Sequence, residues 1–223
     1  MRGLMKTTVL AVSALAALSP GLASANLVLN YASNSPILAG SPPATPGTYL
    51  TATFANSADD ASILAGHVRL TLAVPTEVPG LFVGAVGFNL NTSTAPTLTL
   101  APGTLDAVAS FDPNGLKLVG TGDQLFNTLF DYPQAGSGVR LGPGVTSVYD
   151  IAGLTFGGDL TRLLAGNADG YASVAHIQGY GNSVGIAGEP VPPLATPEPS
   201  TLVMAGAAVL FGLGYARRRG RSA

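Results

Sequence analysis

From Val68 to Val74 every second residue is apolar: Val68, Leu70, Leu72 and Val74 fall on one side, while His67, Arg69 and Thr71 fall on the other. An extended backbone sends successive side chains to opposite faces, so a period of two marks a strand with one buried and one wet face. The pattern recurs along the chain. Thr48–Phe54 sets Leu50, Ala52 and Phe54 against Tyr49, Thr51 and Thr53. Phe82–Leu90 puts Phe82, Val86, Phe88 and Leu90 on a common face, with Gly84 there leaving room for a neighbour or a bulge. Shorter runs at Leu27–Tyr31 and Thr97–Leu100 read as strands, as do 125–132, 145–154 and 171–179. In 145–154, Tyr149, Ile151 and Gly153 oppose Val148, Ala152 and Leu154. The stretch 106–119 supplies two more strands, broken at Asp112-Pro113-Asn114-Gly115, a strong turn signal.

Between these runs the chain is punctuated by turn formers, with 29 glycines and 17 prolines among 223 residues. Helix interiors tolerate neither residue well. One helical turn is expected, at 159–164 with Asp159 as its cap. No amphipathic crossover helix is present to support a parallel sheet, so the expected fold is all-β: an antiparallel β-sandwich, jelly-roll-like, over residues 26–188. From Glu189 the chain carries five prolines in eleven residues, Pro190, Pro192, Pro193, Pro197 and Pro199. Residues 189–196 therefore read as a stiff, extended spacer.

Charged residues make up only 10% of the chain, and their signs are segregated. Between Asn26 and Thr196 four basic residues (Arg69, Lys117, Arg140 and Arg162) face eleven acidic ones, a body near −7. A surface of that sign repels phosphates and excludes nucleic acid as a partner. Cysteine is absent, which rules out disulfides and thiolate metal sites.

Both ends read as processing segments. Residues 1–25 open with Arg2 and Lys6, continue with an apolar run to Leu18, and close on Ala23-Ser24-Ala25, with small residues at the two positions a signal peptidase reads. This is a secretory signal peptide, cleaved after Ala25 and handled by the Sec export machinery and signal peptidase. At the other end, 201–216 holds no charge. A helix of that length reaches about 24 Å, somewhat short of the roughly 30 Å hydrocarbon core. Arg217, Arg218, Arg219 and Arg221 follow at once. Such a cluster stays in the cytoplasm, which leaves the body outside the inner membrane.

The order of these C-terminal parts carries a family resemblance. Pro197-Glu198-Pro199, then a short glycine-bearing apolar helix at 201–216, then the arginine cluster, resembles the PEP-CTERM sorting signal of Gram-negative bacteria over residues 197–223. The resemblance implies recognition and cleavage by an exosortase-type membrane transpeptidase, transient anchoring in the membrane, and final placement at the cell surface or in the extracellular matrix of a biofilm. It further implies a producer of extracellular polysaccharide. The body is similar to a recurrent β-rich type of PEP-CTERM protein. The pieces that carry this are Tyr49–Phe54, Val68–Leu72, Val86–Asn91, Leu129–Pro133 and Ala175–Gly179. Such proteins often carry an Asp/Gly-rich stretch before the segment containing Phe130; here Gly120–Gln124 is poorer in acids.

Candidate chemistry in the body is sparse. His67 and His176 are the two histidines, neither beside a Gly-x-Ser-x-Gly elbow. The pairs Asp59-Asp60 and Asn167/Asp169 offer oxygen ligands of the type calcium takes, in turns that also suit solvated carboxylates. Gly136-Ser137-Gly138 lacks the strand-then-helix context of a phosphate cradle. Tyr132, Tyr149, Tyr171 and Tyr180 are the aromatic candidates for stacking on a sugar ring, in a chain without tryptophan. Two readings follow. The first is an exported, exosortase-processed surface or matrix protein whose sandwich is not an enzyme, with no cofactor or metal. The alternative is a secreted carbohydrate-binding module or polysaccharide hydrolase acting on extracellular polysaccharide.

Overall fold

The computed structural model describes residues 26–58, 60–134, 139–156 and 159–190. The signal peptide with Ala23 and Ala25, the motif Pro197-Glu198-Pro199, the apolar segment 201–216 and Arg217, Arg218, Arg219 and Arg221 lie outside them. So do Asp59 and Gly136-Ser137-Gly138.

The described body is built of strands. In chain order they are β1 (Leu27–Ala32), β2 (Ile37–Gly40), β3 (Thr48–Asn56), β4 (Val68–Ala73), β5 (Phe82–Phe88) and β6 (Thr97–Leu100). They continue with β7 (Val108–Lys117), β8 (Leu125–Asp131), β9 (Thr146–Ala152), β10 (Ser173–Gln178), β11 (Ser183–Ala187) and β12 (Glu189–Pro190). One six-stranded sheet runs β12-β1-β3-β4-β9-β6 and the other β2-β11-β10-β5-β8-β7. Every pairing is antiparallel. The first strand pairs with the last and the second with the next to last, as in a jelly roll. The hairpins β3–β4, β7–β8 and β10–β11 instead join chain neighbours within one sheet.

The alternating residues meet between the sheets. Leu50, Ala52 and Phe54 of β3 and Val68, Leu70 and Leu72 of β4 are all fully buried. A chain of aromatic contacts crosses the interior. Phe54 meets Phe88 edge-on at 5.3 Å, Phe88 meets Phe130 at 6.0 Å, and Phe130 meets Tyr149 at 5.0 Å. Since Phe54 and Tyr149 belong to one sheet and Phe88 and Phe130 to the other, these rings fasten the two layers together.

On β5 the strict alternation fails. Val83 pairs with Ile177 and Ala85 with His176, so Gly84 is an extra residue and the face reverses there. Val83, Val86 and Phe88 enter the main core. Phe82, expected inside, is half-buried beneath the Arg140 guanidinium, 4.5 Å from its ring centre.

The second sheet has a further, smaller core on its outer face, where Ala85, Leu118, Phe126 and Val174 cluster. The β7–β8 connection covers it. That cover depends on glycine: a Cβ at Gly185 would lie 2.5 Å from the Gly120 carbonyl oxygen, and one at Gly120 would lie 2.5 Å from His176 Nε2. The glycine-rich stretch 120–124 is thus a flap laid flat on β10 and β11. Thr121 is buried within it and donates to the Leu118 carbonyl at 2.8 Å.

Asp112–Gly115 does not separate two strands. It forms an irregularity inside the single strand β7, whose register jumps between Phe111 and Leu116. β7 is a sheet edge, and Val108 on it is 74% exposed. The bulge and Pro113, which has no N–H to offer, interrupt a ladder that would otherwise template another strand. The expected helical turn is present as a 3-10 turn, Leu160–Arg162, capped by Asp159, whose side chain accepts from Thr161 N. Three strands arise where a loop, no element or spacer was expected, namely β2, β11 and β12. Glu189 and Pro190, expected in the spacer, pair with Asn30 and Leu29.

Candidate functional site

The structure separates the two histidines. His67 precedes β4 in the first sheet, with Nδ1 3.4 Å from the Ala65 carbonyl oxygen. His176 is buried in β10 of the second, its Nδ1 3.0 Å from Gln178 Nε2, which also donates to Gln134 Oε1 at 2.8 Å. Among the described residues, neither ring hydrogen-bonds a serine or a carboxylate.

Burial holds the His176 imidazole below its ordinary pKa, against the opposing pull of the Asp131 carboxylate. The sign follows directly. The unfolded chain takes up a proton near pH ~6.5 while the folded chain resists it. The stability due to neutral His176 is therefore complete above about pH 6.5 and is lost as the pH falls below it. Urea midpoints are expected to drop between pH 7.5 and 5.0, and His176→Gln is expected to flatten that drop.

Of the carboxylates considered for calcium, Asp60 and Asp169 have other partners. Asp60 receives hydrogen bonds from Ser62, which hold its carboxyl below the usual range, and it sits 3.4 Å from Arg69 NH1. Arg69 itself grips Asp150 bidentately, at 2.7 and 2.9 Å. Asn167 and Asp169 do come together, closed by Gln124: Asn167 donates to Gln124 Oε1 at 2.6 Å and Gln124 donates to Asp169 Oδ2 at 2.7 Å. In the flap, Asp123 pairs with Lys117.

Two of the four tyrosines proposed for sugar stacking are inside the protein. Tyr132 is 2% exposed, and burial pushes its phenol far above the ordinary range. Tyr149 is 3% exposed; its hydroxyl donates to Asp106 Oδ1 at 2.9 Å and accepts from Ala107 N at 2.6 Å. Tyr149 shares its face with Ile151, and Tyr132 follows Phe130 by two, so strand parity sends both inward. Neither offers a ring face to a ligand. Tyr171 and Tyr180 are half-buried. Tyr180 lines a hollow of about 400 Å³ with Pro42, Pro43 and Pro79, and donates to the Ser41 carbonyl at 2.5 Å.

The larger opening is a cleft of about 760 Å³ where loops from both sheets meet. Residues 89–94 after β5, 113–115 of the β7 bulge, the start of β8, and the loops after β9 and before β10 form it. Asn127 holds it in shape. Its side-chain amide accepts from Leu90 N at 2.9 Å and donates to Leu90 O at 2.7 Å, standing in for a strand neighbour. Asn89 Oδ1 returns the contact by accepting from Asn127 N at 2.9 Å. On the other side Asn91 N donates to Leu163 O, and Ala165 N to Asn89 O. Asn127→Ala removes the acceptor of Leu90 N and one of the two donors to Leu90 O, which Thr92 N also reaches at 2.8 Å, in a residue only 2% exposed. It is expected to destabilise the protein by about 1–3 kcal/mol, the cost of the one buried N–H left unsatisfied. Thermal unfolding checks it.

Sequence reasoning did not single out this cleft. Its signal was the polar run Asn89–Thr94 at the end of an apolar strand, joined through space by Asn114, Asn127 and Asn167.

Residues 195–219 match the family model of the PEP-CTERM protein-sorting motif. The chain carries a PEP-CTERM sorting signal. A PEP-CTERM motif marks an exported exosortase substrate, processed while anchored at the membrane and then placed at the surface. No curated protein and no solved structure matches the chain.

Proposed function

We propose that this PEP-CTERM protein delivers a non-catalytic β-sandwich to the cell surface or extracellular matrix of a Gram-negative bacterium. Sec carries the chain across the inner membrane and signal peptidase cuts after Ala25. The 201–216 helix then holds it in the membrane, with Arg217, Arg218, Arg219 and Arg221 on the cytoplasmic side. The exosortase acts at Pro197-Glu198-Pro199. The body is of the recurrent β-rich type that accompanies such signals, and its setting is extracellular polysaccharide.

The PEP-CTERM match at 195–219 is the observation that carries the reading. The proline-rich sequence ahead of the motif supports it, because an enzyme in the membrane requires a segment within reach. The absence of enzymatic activity draws its support from the two histidines, which lie apart, His67 ahead of β4 and His176 within β10, without a serine or carboxylate partner among the described residues.

Replacing Pro197, Glu198 and Pro199 together by alanine is expected to abolish processing in the native host. The protein then stays at its precursor size in the membrane fraction, read by immunoblot of fractionated cells. Processing unchanged in size and place would overturn the sorting role.

A further inference from the structure

We propose that the asparagine cleft between the two sheets binds an uncharged glycan chain. The inference deepens the extracellular role proposed above, but the site is argued from its own chemistry.

Among the described residues, no aspartate, glutamate, lysine, arginine or histidine lines the cleft. In a body that carries eleven acidic residues, a basin this large without charge is selective in itself. An anionic ligand would surrender hydration there and meet no countercharge. A ligand rich in hydroxyl groups would meet amides and hydroxyls that exchange hydrogen bonds with it at little net cost.

Among the described residues, those amides are fixed at one end and open at the other. Asn89 uses Oδ1 on Asn127 N, leaving Nδ2 open. Asn91 uses Nδ2 on the Arg162 carbonyl at 3.1 Å, leaving Oδ1 open. Asn114 uses Nδ2 on Asp112 Oδ1 at 3.1 Å, again leaving Oδ1. The Ser93 and Thr155 hydroxyls line the same space and have no partner among the described residues. Amides anchored in this way lose little rotamer freedom when a ligand arrives, which favours binding. The cleft is not wholly polar. Leu125, 46% exposed, lies against Gly115, where a Cβ would come within 2.8 Å of it. With Pro113 it provides an apolar surface for the C–H face of a sugar ring.

The test uses the full chain purified in detergent and isothermal titration with neutral hexasaccharides (cellohexaose, laminarihexaose, maltohexaose and xylohexaose) beside the hexamer of galacturonic acid. At least one neutral probe is expected to bind with one-to-one stoichiometry, at least tenfold more tightly than the acidic one. The double variant Asn91→Ala, Asn114→Ala is expected to weaken it at least tenfold. Thr155→Glu, an exposed position, is expected to abolish it with the circular dichroism spectrum unchanged. Tyr180→Ala, in the separate proline-lined hollow, is expected to leave affinity as it was. Absence of binding by every neutral probe overturns the proposal, as does equal binding of the acidic one. So does affinity that survives at Thr155→Glu and falls at Tyr180→Ala. None of these outcomes bears on processing, which is read from precursor size.

Discussion

Phe130→Ala is expected to lower the unfolding free energy by about 3–5 kcal/mol. Phe130 is fully buried and is the middle link between Phe88 at 6.0 Å and Tyr149 at 5.0 Å. Truncation removes a large apolar side chain, two ring–ring contacts and one of the fastenings between the sheets. Neighbouring strands are held by their ladders, so the space does not simply close. Against a typical total of about 5–15 kcal/mol, the loss is enough to leave a marginal fold. Urea unfolding followed by far-ultraviolet circular dichroism measures it. Phe111→Ala, at a half-buried position on the edge strand, is expected to cost far less.

Gly185→Val is expected to be almost as severe, by a different route. The new Cβ would stand 2.5 Å from the Gly120 carbonyl oxygen and 2.9 Å from Thr121 Cα, both backbone atoms that a rotamer change cannot move. The flap must lift, and lifting uncovers Leu118, Phe126, Ala85 and Val174. Uncovering Leu118 and Phe126 alone returns roughly 1.5–3 kcal/mol each to water. The expected signs are a lower urea midpoint and new binding of a hydrophobic dye while the main sheets persist. A variant that melts like the parent and binds no dye would show that the flap does not depend on this glycine.

The strands legible in the sequence were those buried on one face. β3 and β4 announced themselves because Leu50, Ala52 and Phe54, and Val68, Leu70 and Leu72, alternate with polar neighbours. β11, Ser183–Ala187, is buried from Val184 onward on both faces, so no alternation survives to be read. β2 is four residues long and follows a turn, and β12 contains proline, which argues against a strand away from an edge. Both exist because a partner strand lies beside them, a long-range fact that local pattern does not contain. The tyrosines show a different difficulty. Parity placed Tyr149 with Ile151, but both faces of that run carried enough apolar residues that the inner one was not marked. The asparagine cleft was least legible, since its residues come from five separate segments and become neighbours only when both sheets are assembled. The sorting signal was fully legible because its meaning lies in linear order.

The pairing of first strands with last ones sets a timetable. Leu29 lies opposite Pro190, and Ile37 opposite Ile186. A chain delivered from its N-terminus presents β2 long before β11 exists to receive it, and non-local pairing of this kind slows folding. The body therefore has no complete form until residues just ahead of the sorting signal have emerged. A truncated chain that lacks β11 would bare the edges of β2 and β10 to one another's copies. Topology here acts as a checkpoint: the domain finishes only when its own address label is about to arrive.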